Sequence, residues 1–206
     1  MAQKSYKKKI HNKVTVYQTN KLPTGMKISR IMKIIEKKIP KHFLSEVDTL
    51  IIADLEKIGT SEGMVEGDTI FIDSQQYCED LLIENFIILV GESLFSRYEG
   101  EINEDKVVDE FIKKRRDLYY DLVEYNNNIA LSDFLVLEDN SMMPRYFRKL
   151  NFEDVILNVQ KYFINYDSCL SLKNYFSHHF AAHINGEISK KEYKELSSKI
   201  VELGKM

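Results

Sequence analysis

The residues of this sequence whose types and spacing could do chemistry are a group of histidines, a glutamate and a cysteine. His179 and His183 stand four positions apart in the stretch HHFAAH (178–183), so on a helix both imidazoles would face one side, as two metal ligands do. Phe180 occupies the position where a zinc peptidase carries its glutamate, and a third ligand would have to come from elsewhere. The pattern favours exposed or interface histidines near a helix C-terminus, where the helix dipole stabilises the charged imidazolium.

Cys169 precedes these histidines by about ten positions and could act as a thiol nucleophile beside an imidazole base. No orienting third group or local signature accompanies it, which argues against catalysis here. Cys78 is the other cysteine, and the two lack the spacing of a metal-binding or redox pair. A disulfide framework is therefore not expected, which suits a reducing compartment or a particle assembled there.

Glu92 lies in residues 79–98, which predict one long helix, apolar nearly all round from Phe86 to Val90 and therefore buried; we call it the spine helix. It follows Gly91, and a glycine in a helix interior costs about 1 kcal/mol relative to alanine. Gly91 therefore requires a reason, such as close packing or the loss of a larger residue.

The order of four segments carries a resemblance to a known family. The spine helix is followed by three stretches in a fixed order: DEFIKKRRDLYYDLVEY, LSDFLVLEDNSMMPRYFRKLNFEDVILNVQKYF and NYDSCLSLKNYFSHHFAAHI. Over roughly residues 14–184 the chain resembles the lethal-factor-like zincin metallopeptidases of tailed bacteriophages. In that family a spine helix carries the two histidines of His-Glu-x-x-His, and a later helix supplies a glutamate as the third zinc ligand.

The resemblance places the two histidine positions on Gly91 and Phe95, and the third ligand on Asn174. Only Glu92, at the general-base position, matches the family pattern, and Tyr166 lies one residue from where a transition-state tyrosine is expected. Glycine and phenylalanine offer no ligand atom, and a lone amide oxygen does not hold zinc. No histidine occurs between residues 43 and 177, so a shift in alignment does not restore the motif. The chain is thus identified as a degenerate member with no metal or other cofactor, in which Glu92 is a buried carboxylate partnered by Arg115, Arg116 or a backbone amide.

Charge is distributed unevenly along the chain. Residues 1–41 hold twelve Lys or Arg and one acidic residue, whereas the remainder carries an excess of acids. This pattern predicts a basic N-terminal arm at residues 1–13 ahead of a domain at 14–206, although a solvated tail would have the same composition. The arm's candidate partner-binding residues are Lys4, Lys7, Lys8, Lys9 and Lys13. The later basic run 113–116 has acids one helical turn away and predicts a salt-bridged surface.

Hydrophobic periodicity predicts the elements that position these residues. Strands are expected at 13–19, 48–54 and 68–73, the last two forming a hairpin with a wide loop. Besides the spine helix, helices are expected at 28–39, 106–125, 151–163, 171–184 and 189–204. The last helix begins with the capping-box pattern Ser189-x-x-Glu192, and residues 126–149 form the longest loop. The fold class is α+β, a zincin-like domain with a small mixed sheet of about three or four strands, the spine helix across it and a helical C-terminal half.

These observations predict a non-catalytic protein of the bacteriophage virion or its assembly, located in the virion after assembly in the host cytoplasm. It would act through contacts with other proteins of the capsid, portal, neck or tail, with packaged nucleic acid reached through the arm, and oligomers are possible. No membrane contact is expected, because no apolar run is long enough to cross a bilayer. Two alternatives remain open: a divergent zinc metallohydrolase using His179 and His183, and a nucleic-acid-binding phage protein led by its basic arm.

Overall fold

The structure is a computed structural model that describes residues 6–55, 63–103, 106–123, 131–135, 147, 152–188 and 193–205. Its strands are β1 (Tyr6–Ile10), β2 (Val14–Gln18), β3 (Thr49–Ala53), β4 (Gly63–Glu66) and β5 (Thr69–Asp73). The first helices are α1 (Ile28–Lys38), α2 (Glu79–Arg97), α3 (Glu99–Asn103) and α4 (Lys106–Val123). They are followed by α5 (Leu131–Phe134), α6 (Phe152–Val159), α7 (Leu172–Asn185) and α8 (Lys194–Leu203). The predicted α+β class is confirmed.

The strands form one mixed sheet in the order β1-β2-β3-β5-β4. The inner pairs β2–β3 and β3–β5 are parallel, whereas the outer pairs β1–β2 and β4–β5 are antiparallel. The prediction of three or four strands was wrong, because both edge strands had been assigned to other structures. The prediction that residues 48–54 and 68–73 form a hairpin was also wrong, since β3 and β5 run parallel and β4 lies between them in sequence.

Residues 6–13, predicted to be part of an arm, form strand β1 and the turn to β2. Ile10 pairs with Val14, and the side chain of Ile10 is fully buried. His11 and Asn12 make the turn with φ angles of +49° and +57°, a conformation that suits the twist of a hairpin. Lysines on β1 lie on an edge strand of the sheet, where charged side chains discourage pairing with other chains.

One face of the sheet is buried under helices. Along each inner strand alternate residues are buried, as in Val14 and Val16 of β2 or Ile70 and Ile72 of β5. Helix α1 packs beside it through Ile31, Met32 and Ile35 and ends as predicted before Pro40, with Ile39 already extended at φ −99° and ψ 115°.

Helix α2 is the predicted spine helix and agrees with the prediction to within one residue. It is apolar on nearly every side and buries Phe86, Ile87, Val90 and Leu94, among others. Its first residue, Glu79, is buried, accepts a hydrogen bond from the Lys27 amide at 2.8 Å and pairs with Arg30 Nε at 2.6 Å. This carboxylate therefore ties the N-terminal ends of α1 and α2 together.

The C-terminal half is helical as predicted, with shifted ends. The helix predicted at 151–163 ends at Val159, and residues 160–166 continue as turns and bends. Most of the loop predicted at 126–149 and the capping box at 189–192 lie outside the described residues. No helix in the described part of the chain combines the length and apolarity needed to cross a membrane.

Candidate functional site

A polar cleft of about 630 Å³ opens beside the exposed edge of α2. One wall is the α2 face that carries Leu81, Glu84, Asn85, Ile88 and Glu92. The opposite wall comes from Asn174 and His178 on α7 and from Asn165 and Asp167 just before it. One end is closed by Asp73, the last residue of β5, and by Gln75, Gln76 and Tyr77 in the segment between β5 and α2. The described lining residues include four carboxylates and no lysine or arginine.

Helix α2 directs two of the predicted site positions away from this cleft. A Cβ placed on Gly91 would lie 2.9 Å from Cα and 3.1 Å from the carbonyl oxygen of Ser177. It would also lie 3.2 Å from Cβ of Phe180. Phe95 is buried with its ring centroid 5.9 Å from that of Phe176. Positions 91 and 95 therefore belong to the packed contact between α2 and α7, and Gly91 is there because only a glycine lets the two backbones approach this closely.

Glu92 lines the cleft, but its surroundings differ from the prediction. Its side chain is 23% exposed and its Oε2 lies 3.2 Å from Lys173 Nζ. The predicted partners Arg115 and Arg116 were wrong. A partly exposed pair of this kind contributes at most about 1 kcal/mol, so Glu92 is a hydrated ion-paired carboxylate and not a buried one.

Asn174 and His178 stand one turn apart on the cleft side of α7. The helix begins where the Ser171 side chain caps it by accepting a hydrogen bond from the Asn174 amide at 3.0 Å. Asn165 Oδ1 accepts a hydrogen bond from the Ser168 amide at 2.8 Å, which directs Asn165 Nδ2 to donate to His178 Nδ1 at 3.0 Å. Burial lowers the pKa of His178. The neutral ring consequently carries its proton on Nε2, so it is a hydrogen-bond donor in the cleft wall.

His179, one of the two histidines of the predicted metal pair, is enclosed in the core. It is fully buried, its Nδ1 donates to the Tyr175 carbonyl at 2.6 Å, and its ring lies 4.3 Å from that of Tyr175 and 4.2 Å from that of Tyr193. Burial lowers its pKa to about 3. The prediction of an exposed, charged histidine was wrong for this residue, because the aromatic side chains of α7 and the residue before α8 enclose it. His183, one turn later, is only partly buried.

Tyr166 and Cys169 do not reach the cleft. The Tyr166 ring packs 5.2 Å from that of Phe147 and is not among the described lining residues. Cys169 is fully buried and its Sγ donates to the Tyr166 carbonyl at 3.0 Å. Burial raises the pKa of the Cys169 thiol to about 12, so the thiolate needed for nucleophilic attack does not form near neutral pH.

Arg115 has a structural role that the sequence did not indicate. It lies in the basic run predicted to be a salt-bridged surface, yet its side chain is fully buried. Its Nε donates to the Cys169 carbonyl at 2.9 Å, one Nη donates to the Leu170 carbonyl, and the guanidinium lies 4.6 Å from the Phe111 ring centroid. Arg115 therefore fixes the segment that precedes α7, and with it the cleft wall at Asn165 and Asp167.

The lysines predicted to be partner-binding residues of an arm differ in their positions. Lys4 lies outside the described residues, as does the side chain of Lys7, although Lys7 itself belongs to β1. Lys8 and Lys9 are exposed on β1. Lys13 is directed back onto the domain, where its Nζ donates to the Ser45 carbonyl and lies 3.9 Å from Asp48 Oδ1.

A zinc ion, which the family resemblance implies, does not fit these residues. Gly91 and Phe95 have no ligand atom, and both are packed against α7. Within the described part of the chain, no three or more His, Cys, Asp and Glu side chains are grouped so that they could hold a metal ion. What the arrangement offers is a concave polar surface with fixed carboxylates, amides and a neutral imidazole donor. Comparison of the chain with protein-family models, with curated proteins and with solved structures finds no match.

Proposed function

We propose that this chain is a non-catalytic structural or assembly protein of a bacteriophage virion, built on an inactivated zincin-like scaffold, and that the cleft beside α2 binds a segment of a partner protein. The family resemblance supports the virion assignment, and the single observation that carries the binding role of the cleft is the division of α2 into two faces. Glu92 and Asn174 remain in a cleft of about 630 Å³, whereas positions 91 and 95 are part of the helix contact. A concave polar cleft of this size is suited to binding a chain segment.

The charged and hydrogen-bonding groups of the cleft indicate which kind of segment it binds. Asp73 accepts a hydrogen bond from the Leu55 amide and Glu92 is paired with Lys173, so the carboxylates of Glu84 and Asp167 are the ones that favour a ligand with positive charge. The amides provide donors and acceptors for an extended backbone. Tyr77 borders the cleft and is 95% exposed. Exposed tyrosines of this kind are frequent anchors of protein interfaces, because a rigid amphipathic ring buries a large area on binding. The partner segment is therefore expected to be polar and basic.

Substitution of Tyr77 tests the proposal in particles. Tagged wild-type chain and its Tyr77→Ala variant are expressed during phage growth, and their co-sedimentation with purified particles is measured. We expect the wild type to co-sediment and Tyr77→Ala to lose at least about tenfold in binding, as removal of an interface anchor does. Since Tyr77 is almost fully exposed, its removal should leave stability unchanged.

A matched control separates the cleft from the rest of the surface. Tyr120 is also exposed, at 54%, but it lies on α4 outside the cleft, so Tyr120→Ala should bind like the wild type. Absence of the chain from purified particles would refute the virion assignment. Equal binding of Tyr77→Ala and wild type would refute the role of the cleft.

A further inference from the structure

A second open depression, the α1 groove, lies between α1 and the C-terminal end of α7. Its volume is about 630 Å³, and its lining consists of Arg30, Lys33, Ile34, Lys37, Lys38, Ile184 and Asn185. None of these described lining residues is acidic. The groove thus has a charge opposite to that of the cleft beside α2 and shares no residue with it.

Two of the four cations in the α1 groove are already engaged. Arg30 Nε pairs with Glu79 Oε2 at 2.6 Å, and Lys38 Nζ donates to Asn185 Oδ1 at 2.7 Å. Lys33 and Lys37 are exposed, and within the described part of the chain neither has an ion-pair or hydrogen-bond partner. The negative ends of the helix dipoles account for about half a charge each, which is less than these two lysines supply. The groove therefore has a net positive charge available to a ligand.

The positive surface continues beyond the groove. Lys27 and Lys41 are exposed at the two ends of α1, and Lys8 and Lys9 are exposed on β1. Glu36 is the acidic residue of α1, and its side chain is directed to the turn between β1 and β2, where it accepts a hydrogen bond from the His11 amide at 2.8 Å. The exposed side of α1 is thus a source of positive potential, which attracts polyanions.

The composition of this surface favours nucleic acid over an acidic protein. Protein interfaces are enriched in aromatic residues at their centre and depleted in lysine. The large exposed hydrophobic side chains of the described residues are Tyr77, Tyr120, Leu157 and Val201, and all lie on other elements. Arg30 to Lys37 spans about 10 Å of helix, the axial length of about three phosphates in one strand of a duplex. We propose that the α1 groove binds the phosphate backbone of a nucleic acid without reading its sequence.

Salt dependence of duplex binding tests this proposal. Affinity of the full chain for a random-sequence DNA duplex is measured by fluorescence anisotropy between 50 and 200 mM salt. Phosphate contacts by Lys33 and Lys37 predict a loss of about tenfold over this range, because each contact contributes about −0.9 to the logarithmic salt slope. A variant with Lys33→Gln and Lys37→Gln should bind more weakly at 50 mM salt and lose less than about twofold over the same range.

A variant of α4 provides the matched control. Lys113→Gln with Arg116→Gln removes the same charge from two exposed helix positions and should keep the wild-type slope. Glutamine is a good helix former, so both variants should give the far-UV circular dichroism of the wild type. The proposal is overturned if the wild type does not bind duplex at 50 mM salt, or if both variants change the slope equally. Binding to polyglutamate with no binding to duplex also overturns it and points to an acidic protein as the partner.

Discussion

Replacement of Gly91 by alanine tests whether α2 and α7 are packed as closely as the structure shows. In an unconstrained helix interior this substitution stabilises a protein by about 1 kcal/mol, because alanine is the better helix former. Here the added methyl would lie 2.9 Å from Ser177 Cα and 3.2 Å from Phe180 Cβ. These atoms are backbone or directly attached to it and cannot rotate away, so overpacking should cost about 3 kcal/mol, the upper end of its usual range. The expected net effect is a loss of about 2 kcal/mol in the free energy of unfolding.

Urea denaturation followed by far-UV circular dichroism measures this effect. The matched control is Gly100→Ala in α3, because a Cβ at Gly100 has no neighbouring atom within 4 Å. That variant should be as stable as the wild type or more stable, by up to about 1 kcal/mol. The two variants carry the same chemical change, so a difference in sign isolates the contact with α7. If Gly91→Ala is as stable as Gly100→Ala, or more stable than the wild type, the close packing of α2 against α7 is refuted.

The other predictions concern the buried and ion-paired groups around the cleft. The pKa of His179 is 6.5 in the unfolded chain and about 3 in the folded one, so the unfolded state binds more protons between these pH values. The free energy of unfolding should therefore fall by about 2 kcal/mol as the pH drops from 7.5 to 5. In His179→Asn, denaturation curves collected across pH should show a smaller dependence of the free energy of unfolding on pH than in the wild type. The same pH dependence in both proteins would show that the folded and unfolded states of the wild type do not differ in the pKa of His179. Arg115→Met should remove the donors to the buried Cys169 carbonyl and the part-buried Leu170 carbonyl, cost about 2–4 kcal/mol and speed amide exchange at 165–171. Amide exchange as slow as in the wild type would contradict the anchoring role of Arg115. Glu92→Gln should change the free energy of unfolding by less than about 1 kcal/mol, since its pair with Lys173 is partly exposed, and a larger loss in urea denaturation would mean that Glu92 is buried.

The helices were predicted well from the sequence, whereas the edge strands were not. The apolar pattern of residues 79–98 extends over five turns, and Pro40 terminates α1 for a local steric reason. Among the residues of β1 whose burial the structure describes, Ile10 is fully buried and Lys8 and Lys9 are exposed, so the composition of the strand resembled that of a solvated arm. Parallel pairing of β3 with β5 depends on the position of β4 at the sheet edge, which no local pattern encodes.

The candidate site was predicted in part, since Glu92 and Asn174 both line the cleft. The orientation of Gly91 and Phe95 was not predictable, because the face that a fully apolar helix turns to its neighbour depends on tertiary packing. Arg115 was missed for a similar reason: in a run of four basic residues, the one that is buried differs from the others only in its helical phase. His179 gave no sign of burial either, since its enclosure depends on Tyr193, which lies outside α7.

Zinc content tests most directly the central proposal, that positions 91 and 95 form a packed helix contact beside a binding cleft and that the chain holds no zinc there. The purified wild-type chain is incubated with excess zinc, separated from free metal by gel filtration and analysed by elemental mass spectrometry. We predict no more zinc than in the Asn174→Ala and His179→Ala variants. One zinc ion retained per wild-type chain, and lost in either variant, would contradict the account.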